Sequence, residues 1–165
     1  MTEVNYIIEC LERSPLILQN LLNQIPEGLY KIKRVEKKWS IHEQVCHLVD
    51  AQSILTQRFR QFELEENPLI KTYSPPTGRK LDHYLTMNME EELNKFPGLR
   101  NEMILMLRKY DMTYWKLEGR HEVFTPYNTI LLLTHSLNVD YAHIFSIEQL
   151  GLTKSGFENE IMTIP

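Results

Sequence analysis

Apolar residues recur along the chain at three- and four-residue spacing, and no window of four to eight residues alternates apolar with polar as a half-buried strand would. This periodicity predicts an all-α fold. Ile7, Ile8, Leu11, Leu18, Leu21 and Leu22 continue from Val4 as one helical face. Pro15 lies inside that face, and a proline lacks the amide that would bond the carbonyl four residues back, so a kink or break is expected there. Pro26 and Gly28 end the segment. Ser40-Ile41-His42-Glu43 has capping-box spacing: the serine hydroxyl accepts from the amide three residues on, and the glutamate reaches back to the cap amide. It opens a second helix through Val45, Leu48, Val49, Ile54, Leu55 and Phe59 to about Phe62.

Pro68, Pro75, Pro76 and Gly78 are too many breakers for a regular element between Glu66 and Asn88. A long crossover loop with one short helical turn is expected. A third helix begins between Met89 and Pro97, with Pro97 in its first turn or splitting it. It continues through Leu99, Met103, Leu105, Met106 and Leu107 to Tyr110. Asp111 to Tyr127, with Gly119 and Pro126, reads as an irregular connection. The clearest helix runs from Asn128, a good cap, to Leu150, with Gly151 just past its end and Ile130, Leu133, Leu137, Val139, Ile144 and Ile147 on its apolar side. The tail beyond is polar and expected to fray. Four helices in 165 residues predict one domain over residues 1–165, a four-helix bundle with long crossover loops.

Composition narrows the function classes. Eighteen basic against 22 acidic residues give a net charge of -4, the wrong sign for a chain that neutralises a phosphate backbone, so no nucleic-acid partner is expected. No apolar run approaches the ~18–20 residues that span a bilayer, and no basic segment precedes an apolar one at the N-terminus; a cytoplasmic protein without a membrane partner is expected. Cys10 and Cys46 form no CxxC pair and are read as reduced thiols. There is no GxSxG, P-loop or GxGxxG.

The histidines carry the candidate chemistry. His47 lies one turn beyond Glu43, on or beside the apolar stripe of the second helix; His135, Val139 and His143 follow one another at four-residue spacing on the last. Imidazoles projecting from facing helices into a bundle core are the geometry of bundle metal sites, whereas an inward histidine is also a common hydrogen-bonded core residue. Cys46 is rotated by about 100° from His47, which argues for a buried structural thiol rather than a Cys–His nucleophile pair. Met103, Met106 and Leu107 read as core, Glu90-Glu91-Glu92 as a solvated helix start, and Lys31, Lys33, Arg34, Lys37 and Lys38 as a solvated loop. Tyr73, His83, Tyr84, Trp115, His121 and Tyr127, in the long connections, are candidates for a pocket mouth.

Trp39-Ser40-Ile41-His42-Glu43-Gln44-Val45-Cys46-His47-Leu48-Val49-Asp50 resembles the WS-x-x-E-x-x-x-HL-x-D signature of DinB-like (YfiT-type) four-helix bundle proteins. Val139-Asp140-Tyr141-Ala142-His143-Ile144-Phe145-Ser146-Ile147 falls on the frame of that family's last helix, and Arg100 matches its third. The resemblance spans nearly the whole chain. It implies a divalent-metal site of three histidines, one on the second helix and two four residues apart on the last; these fall on His47, Val139 and His143. Valine ligates nothing. His135, one turn before Val139, is the favoured replacement, ahead of Asp140 and Glu43, so the expected ligands are His47, His143 and His135 around a weakly held zinc or nickel ion. The implied activity is that of a metal-dependent hydrolase or a thiol transferase using a cosubstrate such as bacillithiol on a small-molecule substrate. The competing expectation is a bundle that has lost its metal and serves as a small-molecule-binding or stress-related interaction protein. The resemblance also implies a homodimer, for which Phe59, Phe62 and Tyr141 are candidate surface residues.

Overall fold

The computed structural model describes residues 2–34, 38–73 and 82–152. Four helices make the bundle: α1 (Thr2–Leu22), α2 (Ile41–Leu64), α3 (Met89–Leu107) and α4 (Thr129–Gly151). The core divides into two apolar clusters. One joins Ile8 and Leu11 of α1 and Leu132 and Leu133 of α4 to Phe59 of α2 and Met103 of α3. The other joins Leu18 and Leu22 of α1 and Ile147 of α4 to Val45 of α2 and Phe96 of α3. Helices α1 and α4 therefore run one way and α2 and α3 the other. Helix α2 packs on α3 and α4, and α1 does the same from the opposite side.

Because α2 and α3 are parallel, the connection between them, residues 65–88, has to return along a helix about 36 Å long at 1.5 Å per residue. This is the expected crossover, and its described part includes the short helical turn at His83–Thr86. Pro75, Pro76 and Gly78 lie outside the described residues, as do Lys37 and the polar tail after Leu152.

Between the clusters sits a polar layer drawn from all four helices. Arg100 Nη2 meets the Asp140 carboxylate at 2.8 Å and Gln52 Oε1 at 2.7 Å, while Ser14 Oγ donates to Asp140 at 2.5 Å. The layer explains why Pro15 does not break α1. The carbonyl that a proline at position 15 leaves without its amide is that of Leu11, and this oxygen accepts from Arg100 Nη1 at 3.2 Å and shares with Asp140 the single hydroxyl hydrogen of Ser14, whose Oγ lies 2.9 Å away.

Other expectations need adjusting. Helix α3 begins at Met89, capped by Asn88, whose side chain accepts from the amides of Glu90 and Glu91, and Pro97 lies in its interior rather than its first turn. Gly151 is the last residue of α4, not the residue past it, and is required for packing: a Cβ there would collide with Ile25. The connection from α3 to α4 is partly regular. It carries β2 (Glu118–His121) and β3 (Tyr127–Asn128), which with β1 (Leu69–Ile70) form a small sheet in the order β1-β2-β3. The β1–β2 pairing is parallel, with Leu69 opposite Arg120, and β2–β3 is antiparallel, with Glu118 opposite Asn128. Strands of two to four residues are too short to show an alternating pattern. Phe59 and Phe62 are core residues and leave Tyr141 as the exposed member of that set. No described helix is long and apolar enough to cross a membrane.

Candidate metal centre

The capping box forms as expected: Ser40 Oγ accepts from the Glu43 amide at 3.3 Å, and Glu43 Oε2 accepts from the Ser40 amide at 2.8 Å. With the start of α2 set there, His47 falls on the side facing α4. His143 comes to meet it, and the two ring centroids are 4.8 Å apart with the planes inclined by 59°. Trp39, delivered by the chain just before the cap, lies 4.5 Å from the His47 ring and stacks on His143 at 6.0 Å. From the crossover connection, Tyr84 packs edge-on to His47 at 5.3 Å, and Tyr73 at 5.7 Å.

Both imidazoles are held through Nδ1. Gln44 turns its amide oxygen to His143 Nδ1 at 2.5 Å; an oxygen of this kind only accepts, so Nδ1 carries the hydrogen and Nε2 the lone pair. His47 is set by a chain. Tyr84 donates its one hydroxyl hydrogen to Asp50 Oδ2 at 3.0 Å, so its oxygen accepts from His47 Nδ1 at 2.9 Å, and the lone pair of His47 is again on Nε2. The Tyr73 hydroxyl lies 3.3 Å from that of Tyr84 and joins the chain. Burial, and secondarily the neighbouring His47, hold the pKa of His143 down at about 4, so at neutral pH its ring is in the ligating, uncharged form.

The residues expected to complete a shell lie elsewhere. Val139 is partly buried against the apolar cluster at this end of the bundle. His135 is exposed and stands eight residues before His143, about 12 Å along the helix axis, so it does not join the pair. Asp140 is turned into the polar layer, where Arg100 and Ser14 hold it. Glu43 is bound to its cap, and its second oxygen forms an ion pair with Lys33 at 3.1 Å. Among the described residues, no three His, Cys, Asp or Glu side chains form a group able to hold a metal ion.

Cys46 is fully buried, and its thiol is pushed up to about 12, chiefly by burial, which fits the structural role expected of it. The aromatic residues of the connections divide. Tyr73, His83 and Tyr84 gather beside His47, whereas Trp115 and Tyr127 are buried in the other apolar cluster and His121 packs on Tyr127. Gln44 was not anticipated from the sequence. Its signal was its place almost one helical turn before His47, on the flank of α2 that faces α4.

The chain was compared with known proteins. It matches a structure from Bacillus subtilis, YfiT, described as a probable metal-dependent hydrolase with an unusual four-helix bundle topology; the TM-score is 0.76 at 22% identity, over 91% of this chain and 86% of that one. No curated protein matches it. The family model for the DinB superfamily matches residues 11–152, which include the second half of α1, the whole of α2, α3 and α4, and both histidines of the pair. The chain belongs to the DinB superfamily.

Proposed function

We propose that this protein is a metal-dependent hydrolase or thiol S-transferase acting on a small molecule, with His47 and His143 as the two protein ligands of a weakly held zinc or nickel ion. The observation that carries the reading is the pinning of both rings at Nδ1, by Gln44 and by the Tyr84–Asp50 pair, in the tautomer that offers Nε2. Hydrogen-bonded outer partners of this kind are what ligating histidines require. The description of YfiT as a metal-dependent hydrolase supports the same chemistry. A bound divalent ion would lower the pKa of a water or a cosubstrate thiol such as that of bacillithiol. The chain's own part is to hold the two imidazoles at a fixed angle and to cover them with Trp39, Tyr73 and Tyr84. A second reading rests on Val139, whose packing against the core leaves the family's third ligand position apolar: a bundle that has given up its metal and keeps the pocket for binding alone.

Titration calorimetry with zinc and nickel separates the two. Weak binding by the native protein, abolished in both His47→Ala and His143→Ala and tightened at least tenfold in Val139→His, supports the metal-dependent reading. No binding by the native protein with clear binding by Val139→His supports the second. Tight binding that ignores His47→Ala would place the ion elsewhere.

A further inference from the structure

The short turn His83–Thr86, which carries Tyr84 onto His47, is tied to the start of α2 at both of its ends. Ahead of the turn, Asp82 Oδ1 accepts from Lys33 Nζ at 2.6 Å, and the same ammonium lies 3.1 Å from Glu43 Oε1. Behind it, the Met87 carbonyl is 3.0 Å from His42 Nε2; a carbonyl only accepts, so His42 carries its hydrogen on Nε2 and donates. The tied residues belong to the turn itself. The Leu85 amide donates to the Asp82 carbonyl at 3.0 Å and the Met87 amide to the Tyr84 carbonyl at 3.3 Å. Tyr84 therefore stands between two tethers, both fastened to residues 42 and 43, about one helical turn before His47.

An ion pair with a partner as exposed as Asp82, whose side chain is 66% accessible, is worth little by itself. Glu43 changes that. It is fully buried, and its Oε2 is taken by the Ser40 amide and hydroxyl at 2.8 and 2.9 Å. Among the described residues its Oε1 has no hydrogen bond, and the Lys33 ammonium is its counter-charge. A buried carboxylate left without one is strongly destabilising, so Lys33 is held in place from below and presented to Asp82. His42, only 4% exposed, is fixed by packing in the same way. A neutral imidazole has one hydrogen, and the partner of one ring nitrogen decides where it resides. The Tyr84 oxygen, 2.9 Å from His47 Nδ1, keeps it there and leaves Nε2 for a ligand.

We propose that His42 and Lys33 are positioning residues of the imidazole pair: they clamp the Tyr84 turn at its two ends and so fix the tautomer of His47. The tautomer of His143 is set by Gln44 and is independent of the clamp. This inference rests on the pair being the metal centre of the preceding section.

The test uses the full chain with 15N-labelled histidine, stripped of metal with chelator, at about pH 8, above the ordinary histidine pKa of about 6.5. Ring 15N resonances tell a protonated nitrogen from an unprotonated one. In the native protein both His47 and His143 should show the hydrogen on Nδ1. In His42→Leu, Lys33→Met and Asp82→Ala the His47 resonances should move toward a mixture of tautomers while those of His143 stay in place. His42→Gln and Lys33→Arg, which keep a donor or a charge, should retain the native pattern. Asp82 is exposed, so its variant keeps the test open if a variant at buried His42 fails to fold. An unchanged His47 pattern in His42→Leu or Asp82→Ala, or a His143 pattern that moves together with it, would overturn the proposal. Zinc titration of the same variants should show at least fivefold weaker binding. A His47 tautomer that follows the clamp in a native protein that binds neither zinc nor nickel would sink only the metal-dependent reading; zinc binding lost in His47→Ala but equal in all clamp variants, with the His47 pattern unchanged, would sink only the clamp.

Discussion

At the scale of the residue, the centre of this bundle is decided by Arg100 and Asp140. Arg100 is among the largest of the fully buried side chains, stacked 5.3 Å over the Phe96 ring, and its Nε–H finds no partner. Burial pushes the Asp140 carboxyl up, while Arg100, Ser14 and Gln52 pull it back, so the acid is stabilised as an anion only by this set of neighbours. That is why Asp140, offered by the sequence as a substitute ligand, is unavailable to a metal. The pair has little reason to be strongly stabilising overall, since desolvating two ions offsets most of their attraction. Breaking one side is a different matter. Asp140→Ala should destabilise the fold by about 3–5 kcal/mol in urea unfolding, because it strands a buried guanidinium, whereas the double variant Asp140→Leu with Arg100→Met should recover most of that loss. A double variant as unstable as the single one would show that the layer contributes through hydrogen bonds to Leu11 and Gln52 rather than through charge.

At the scale of the element, local signals proved readable where a helix end satisfies its own amides. The Ser40–Glu43 box and the Asn128 cap sit where their side-chain chemistry puts them, because a cap is decided within four residues. The prolines were misleading for the opposite reason. Pro15 sits in an unbroken helix because Ser14, one residue away, and Arg100, eighty-five residues later in the chain, accept the task of its missing amide. No window around position 15 contains the second of these. The sheet was missed for a similar cause: β1 and β2 are stabilised by each other across the crossover, not by a pattern of their own. The candidate site divides along the same line. His47 and His143 were legible from spacing on two helices, while Gln44 and the Tyr84–Asp50 link depend on how those helices and the crossover pack. From this account, Pro15→Ala should alter stability by less than about 1 kcal/mol, against the ~3 kcal/mol that helix propensity alone suggests. The Leu11 carbonyl is already satisfied, and a new amide would compete with Arg100. A gain near the full propensity value in thermal or urea unfolding would mean that the kink, not the lost hydrogen bond, is the main cost.

At the scale of the whole molecule, the direction of the helices determines both the site and the surface. Parallel α2 and α3 oblige their connection to return along the bundle, and this is what carries Tyr73 and Tyr84 over His47 and Lys71 to Arg58. Among the described residues, no connection crosses the opposite side, where α1 and α4 run parallel. Tyr6 and Ile17 of α1 and Tyr141 and Phe145 of α4 are exposed there by 67%, 42%, 42% and 53%. They belong to one patch: Tyr141 interacts with Cys10 and Tyr6, and Phe145 is one turn further along α4, as Ile17 is further along α1. Aromatic residues grouped on a helix pair in this way make a self-complementary surface for a two-fold dimer, and we propose a second copy of the chain as its occupant. The site faces α2 and would stay open in such a dimer. Light scattering should therefore give twice the 19.6 kDa chain mass at micromolar concentration, and Tyr141→Glu with Phe145→Glu should give the monomer mass while leaving the helical circular dichroism and the metal titration unchanged. A monomer mass for the native protein across a wide concentration range would reject the dimer, and a dimer that survives both glutamates would place its interface on another face.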